Sequence, residues 1–203
     1  MISLSVSNLT RKYNRKIVLD NIQFEHFSGI LGISGSNGSG KSTLMKCLAG
    51  LLRPNSGSIN WKLKDEPLSQ AELKNYTGFS APYISLYEEL TVLENLEFLA
   101  EVSHTNLNKT QIQELLSKTE TTKLKDKLYK SLSTGQQQRV KLASSLVRNP
   151  KVLFWDEPGS NLDSDGHSLV KSILAEQKEK GALIFIASND PNEIALCDSL
   201  ISL

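Results

Sequence analysis

Ile30-Leu31-Gly32-Ile33-Ser34 followed by Gly35-Ser36-Asn37-Gly38-Ser39-Gly40-Lys41-Ser42-Thr43 is the stretch on which the reading of this chain turns. A short apolar run stops at glycine, and the loop after it fits the pattern G-x-x-x-x-G-K-[ST]. From Lys41 onward the apolar residues change to helical spacing: Leu44, Met45, Leu48, Ala49 and Leu52 share one face, which ends at Pro54 and Gly57. Strand, glycine-rich loop and helix is the setting in which such a loop holds phosphate. The glycines let backbone N–H groups converge on phosphate oxygens, and the helix N-terminus adds a favourable dipole. Gly35, Ser36, Asn37, Gly38, Ser39 and Gly40 are therefore expected to form the cradle. Lys41 is expected to reach the β- and γ-phosphates, Ser42 to ligate Mg2+, and Thr43 to touch a phosphate through its hydroxyl.

A second motif lies downstream. Val152-Leu153-Phe154-Trp155-Asp156-Glu157 is an apolar strand that ends in two carboxylates. Two adjacent acids alone are ordinary surface charge. At the end of a buried strand in a chain that also carries the phosphate loop, they acquire roles: Asp156 near Mg2+, and Glu157 where it can polarise an attacking water. The two motifs together predict a protein that binds a nucleoside triphosphate with Mg2+.

The remaining pattern gives the layout. Ile2 to Val6 alternates like a strand, and Ile17-Val18-Leu19 with Ile22-Gln23-Phe24 forms a second extended run after a turn at Tyr13-Asn14. Ser58-Ile59-Asn60-Trp61 is a small strand. From about Thr91 to Leu146 the apolar spacing is helical throughout, through Val92, Leu96, Ile112, Leu115, Val140 and Ala143. Ala182 to Ala187 is a late apolar strand, preceded by an amphipathic helix through Leu169, Ile173 and Leu174. Buried strands alternating with helices indicate an α/β core with a parallel sheet, into which the continuous helical middle is inserted as a lobe. The lysine-rich run Lys123 to Lys130 reads as a solvated helix face.

Composition narrows the classes. A chain of 203 residues favours one domain over two, and Lys+Arg 23 against Asp+Glu 22 speaks against a strongly basic nucleic-acid surface. Cys47 and Cys197 both sit in apolar, helical-looking runs and read as buried thiols in a reducing compartment, not as a disulfide framework. The N-terminus lacks a basic flank and a long apolar run, and no apolar stretch approaches the length of a membrane span. A soluble, cytosolic protein is expected.

The next motif brings in a family. Leu132-Ser133-Thr134-Gly135-Gln136-Gln137-Gln138-Arg139-Val140 resembles the LSGGQ signature of ATP-binding cassette (ABC) proteins, with Thr134 in place of a glycine. The same residues read locally as an S-x-x-Q capping box before an apolar helix, and both readings hold together. Tyr13 occupies the position of the family's adenine-stacking aromatic, and Ser160-Asn161-Leu162-Asp163 resembles its D-loop. The resemblance runs from Met1 to Leu203. It implies a single ABC-type ATPase domain over 1–203: a P-loop NTPase core with a parallel sheet, an N-terminal antiparallel β subdomain, and a helical subdomain at approximately 83–147. It further implies ATP and Mg2+ as ligands. Ser133, Gly135 and Gln136 would close over the γ-phosphate bound to a second cassette, identical or not. A separate transmembrane permease subunit would hold the pair at the cytoplasmic face of the membrane, and no nucleic acid is expected.

Two positions depart from the family pattern. Pro82, in Gly78-Phe79-Ser80-Ala81-Pro82-Tyr83, stands where a glutamine belongs, and Asn189, in Ile186-Ala187-Ser188-Asn189-Asp190, stands where the family has its switch histidine. Asparagine donates a hydrogen bond but carries no positive charge. Either the site is re-tooled within a subfamily, or the chain is a weakly hydrolysing, nucleotide-dependent assembly module. Retention of Lys41, Asp156 and Glu157 favours hydrolysis, with Glu157 and Asn189 as the catalytic pair. Leu86 to Leu96 resembles export-type bacterial cassettes. The last strand ends at Leu203 and no second cassette or coiled-coil insertion is present, which points away from importer cassettes with a regulatory extension and from the chromosome-maintenance and ribosome-acting relatives.

Overall fold

The computed structural model describes residues 1–14, 16–105 and 107–203. The chain opens with two antiparallel strands, β1 (Ile2–Tyr13) and β2 (Lys16–His26), whose turn uses Asn14 at φ +52°. Asparagine tolerates that left-handed conformation better than most side chains. β3 (Ile30–Ser34) runs through the glycine-rich loop into α1 (Lys41–Leu48). β4 (Ser56–Leu63), β5 (Glu66–Leu68), the short α2 (Gln70–Leu73) and β6 (Thr77–Ser80) follow. Three helices come next: α3 (Val92–Val102), α4 (Lys109–Lys118) and α5 (Thr134–Leu146). The chain closes with β7 (Val152–Asp156), α6 (Ser164–Glu179), β8 (Leu183–Ala187), α7 (Pro191–Ile194) and β9 (Ser199–Ser202).

The strands form two sheets. One is antiparallel, in the order β2-β1-β4-β5; the other is parallel, in the order β6-β7-β8-β3-β9. This is the expected α/β architecture with its N-terminal antiparallel sheet. Every residue of β7 and β8 is buried, because both faces of the parallel sheet are covered. Alternation then divides the core in two. Val152, Phe154, Leu183 and Phe185 pack with α1 and the antiparallel sheet, while Leu153, Trp155, Ile184 and Ile186 pack with α5, α6 and the helices before them.

Trp61 ties the two sheets together. Its ring meets Phe154 and Phe185 edge-on at 6.2 and 5.8 Å, and its indole N–H donates to the Leu48 carbonyl at 3.1 Å. That last bond fixes the C-terminal end of α1, and through it the helix whose other end carries Lys41. Burial of each of these aromatic side chains contributes roughly 1.5–3 kcal/mol.

The helical middle is less continuous than its spacing predicts. α3, α4 and α5 each begin with a capping box, Thr91/Glu94, Asn108/Gln111 and Ser133/Gln136, so each start is a separate local event. The lysine-rich run is not a helix face. It forms two short 3-10 turns, Thr122–Leu124 and Tyr129–Ser131, and pairs its backbone with the start of α3. The Val92 N–H donates to the Lys127 carbonyl and the Tyr129 N–H to the Leu90 carbonyl, while Leu124 and Tyr129 are buried. Those tertiary partners override the helical spacing. The cysteines also differ from expectation: Cys47 is buried in α1, but Cys197 lies past α7 and is half-buried. Burial pushes both thiols up to about 11.

His26 closes β2 against the Phe185 ring, centroids 5.1 Å apart. Burial lowers its pKa below 6.5, outweighing backbone hydrogen bonds at Gly29 and Ile184 and the Asp198 charge. The unfolded chain then binds the additional proton first, so His26 makes stability fall as the pH drops below about 6.5. Urea titrations at about pH 7.5 and about pH 5.5 should show a smaller acid loss in His26→Phe than in wild type. An equal loss in both proteins would remove His26 as the source.

Candidate active site

The carboxyl ends of β3, β7 and β8 converge on one edge of the parallel sheet, where ligands sit in open α/β folds. Backbone bonds hold these ends in register: the Glu157 N–H donates to the Ala187 carbonyl at 2.8 Å and the Ser188 N–H to the Ile33 carbonyl at 3.2 Å. The loop after β3 takes positive φ at three glycines, Gly38 at +81° among them. Gly35 has φ +149°, and Gly40, the N-cap of α1, has φ +112° with the Val18 carbonyl 2.9 Å from where a Cβ would lie. The loop and β2 are thus pressed together, and a side chain at Gly40 would force them apart.

Lys41 is the first residue of α1 and only 6% exposed. Its ammonium donates to the Gly35 carbonyl at 2.7 Å, the Ser36 carbonyl at 3.2 Å and Asn189 Oδ1 at 2.8 Å. Asn189 in turn donates through Nδ2 to Asn37 Oδ1 at 2.6 Å. The loop lysine, the loop asparagine and the residue at the switch position therefore form one chain of hydrogen bonds across the top of the sheet. The first intrahelical bond runs from the Leu44 N–H to the Gly40 carbonyl, so the N–H groups before it point out of the helix end.

Asp156 is 2% exposed at the end of β7. Burial raises its pKa, while a hydrogen bond from Ser42 and the charges of Lys41 and Lys46 act the other way. Its Oδ2 is buried without a hydrogen-bond partner. A carboxylate oxygen left bare beside a serine hydroxyl is the donor set a hard divalent cation takes, so Ser42 and Asp156 fit Mg2+. Glu157 follows at φ +49°, a strained value for a non-glycine residue. It lines a cavity together with Asn37, Ser160, Ser188 and Asn189.

Other predicted residues lie elsewhere. Ser133, Thr134, Gly135 and Gln136 line a neighbouring cavity with Arg139 and the segment Asn161–Asp163; it shares Asn161 and Leu162 with the first, and no residue of the phosphate loop is on its wall. The Ser133 hydroxyl accepts from the Gln136 N–H at 3.3 Å, and Gln136 Oε1 accepts from the Ser133 N–H at 3.2 Å. Gly135 is packed against the Asn161 carbonyl, 2.8 Å from where a Cβ would sit, and Arg139 pairs with Asp163 at 3.1 Å. Tyr13 stands half-exposed at the end of β1 with the Arg11 guanidinium 4.7 Å from its ring centroid. Pro82 is exposed, and its carbonyl accepts from Lys141 at 3.0 Å.

Four polar residues beside this site escaped the sequence reading. Lys46 lies 3.8 Å from the centroid of the Tyr83 ring, and burial, helped by the Asp156 charge, pushes the Tyr83 hydroxyl well above the usual phenol range. Gln138 and Glu193 are buried against the backbone just after Glu157. The one available signal was a polar residue on the inner face of an amphipathic helix, as Gln138 is in α5.

A family profile described as ABC transporter matches residues 19–160. The chain is 34% identical over its full length to a protein of Chlorella vulgaris named "Probable sulfate/thiosulfate import ATP-binding protein CysA", of which 87% is covered. A dimeric bacterial ABC transporter cassette superposes with a TM-score of 0.86 at 26% identity, over 98% of this chain and 94% of that one. A dimeric ATP-binding cassette in a post-hydrolysis state, bound to ADP and Pi, gives 0.83 at 26% identity over the same shares. The chain belongs to the ABC transporter family. It is an ATP-binding and ATP-hydrolysing subunit of such a transporter, and the weakly hydrolysing alternative is not favoured. The first of these relatives is named for import, so the likeness of Leu86 to Leu96 to export-type cassettes does not carry over to a direction of transport.

Proposed function

We propose that the residues 1–203 act as one ATPase domain, with approximately 83–147 as its helical lobe, and that hydrolysis runs at the edge formed by Lys41, Asp156, Glu157 and Asn189. The observation that carries this reading is the hydrogen-bond chain Lys41–Asn189–Asn37. It joins the loop that would hold the phosphates to the residue at the switch position. When ATP enters, Lys41 exchanges its carbonyl and amide acceptors for β- and γ-phosphate oxygens. The backbone N–H groups of Ser36 to Gly40 and the N-terminus of α1 complete the cradle, with the Thr43 hydroxyl on a phosphate and Tyr13 against the adenine. Ser42 and Asp156 hold Mg2+, which when bound neutralises phosphate charge. Glu157 accepts the proton of the attacking water, and Asn189 donates from Nδ2 to the γ-phosphate.

Ser133, Gly135 and Gln136 serve a second cassette. No phosphate-loop residue of their own chain is on the wall of the cavity they line, which supports a head-to-tail pair with two ATP molecules sandwiched between subunits. The partners are a second copy or a related cassette, together with a transmembrane permease subunit that holds the pair at the cytoplasmic face. Among the described residues no helix is long and apolar enough to cross a membrane.

Asn189 tests this assignment. Removing its side chain deletes one transition-state donor, so Asn189→Ala should slow hydrolysis by about ten- to a thousandfold. ADP affinity should stay within about twofold, because ADP has no γ-phosphate. Asn189→His restores a longer, titratable donor and should recover part of the rate. Turnover of Asn189→Ala at the wild-type rate would return Asn189 to ordinary loop structure.

A further inference from the structure

One peptide group next to Glu157 is held at both of its poles. Gln138, 3% exposed on α5, donates from Nε2 to the Pro158 carbonyl at 2.9 Å and approaches the Glu157 carbonyl at 3.5 Å. Glu193, 4% exposed in α7, accepts the Gly159 N–H at 2.6 Å through Oε1 and is also hydrogen-bonded to Ser188. The Pro158 carbonyl and the Gly159 N–H are the two ends of the same peptide plane. Two side chains from different elements therefore fix its orientation. Gly159 has no room for a side chain: a Cβ would lie 2.3 Å from Glu193 Oε1 and 2.6 Å from the His167 ring.

The two side chains come from elements with different duties. Gln138 is on the helix that begins with Ser133 and Gln136, and Glu193 is in the short helix that follows Asn189. Glu157 keeps a left-handed backbone just before the clamped peptide, and such a conformation persists only where the surroundings over-determine it. We propose that Gln138 and Glu193 are positioning residues for hydrolysis: by holding the Pro158–Gly159 peptide between them, they keep the Glu157 carboxylate aimed at the attacking water. A shift of the signature helix or of the switch segment then reaches Glu157 through this one peptide. The inference rests on Glu157 as the proton acceptor.

The test is Mg-ATP hydrolysis by the purified full chain, with kcat and KM measured separately. Gln138→Met and Glu193→Met keep volume and lose the hydrogen bond; Gly159→Ala pushes a methyl into the clamp and leaves both side chains intact. Each should lower kcat on the order of ten- to a hundredfold, the scale of a small misplacement of a catalytic group. KM for Mg-ATP should stay within about twofold, because no phosphate contact is removed. Glu193→Gln keeps an acceptor oxygen for the Gly159 N–H and should recover most of the rate, whereas a purely structural loss would show as a lower melting midpoint and no such recovery. In a Glu157→Gln background none of the variants should slow the residual reaction further. Wild-type kcat in all three variants, a rise in KM in place of a fall in kcat, or an undiminished effect in the Glu157→Gln background would overturn the clamp. Glu157→Gln hydrolysing at the wild-type rate would instead sink the assignment of Glu157, a distinguishable result.

Discussion

Lys41→Ala should bind Mg-ATP more weakly by about 2–4 kcal/mol, which is roughly 30- to 1,000-fold in Kd. The size follows from what the ammonium does. Each charge-assisted hydrogen bond contributes about 1.5–3 kcal/mol, and Lys41 is the one charged side chain of the loop that meets the phosphates. In the structure it is already desolvated, with its three protons on Gly35, Ser36 and Asn189, so little side-chain entropy remains to be lost on binding. The substitution also leaves Asn189 Oδ1 without its donor. The weakening should therefore be accompanied by a loosened switch segment, seen as faster hydrogen exchange around Ser188 and Asn189. Equilibrium titration with Mg-ATP measures the main effect; affinity within about twofold of wild type would remove Lys41 from the phosphate ligands.

The parallel core was legible because β7 and β8 are unbroken apolar runs and the glycine-rich loop has a strand before it and a helix after it. Asp156, Glu157 and Asn189 were legible for the same reason, since each closes or follows such a strand. The register of the antiparallel strands and the breaks between α3, α4 and α5 were not. Helical spacing reports a face, not continuity, and within that stretch the backbones of Lys127 and Tyr129 bond instead to Val92 and Leu90. Gln138 and Glu193 were hidden for a different cause. Their partners are the backbone atoms of residues 20 and 34 positions away, and main-chain atoms leave no trace in a side-chain pattern. The buried, bare Oδ2 of Asp156 is likewise a property of packing alone.

Glu157→Gln should abolish most of the chemistry while sparing the binding. The amide keeps the shape of the carboxylate and its place after β7 but cannot accept the water proton, and general-base contributions run to about 10²–10⁴ in rate. Lys41, Ser42, Asp156 and the loop backbone are untouched, so Mg-ATP should bind with near-native affinity. With hydrolysis stalled, the ATP-bound pair should accumulate instead of reopening. Light scattering on the size-exclusion peak of Glu157→Gln, with and without Mg-ATP, measures this most directly. Two cassettes sandwiching ATP between the loop of one and Ser133–Gln136 of the other predict a dimer in Mg-ATP that returns to monomer when nucleotide is removed. A protein that binds Mg-ATP yet stays monomeric at every concentration would contradict the sandwich.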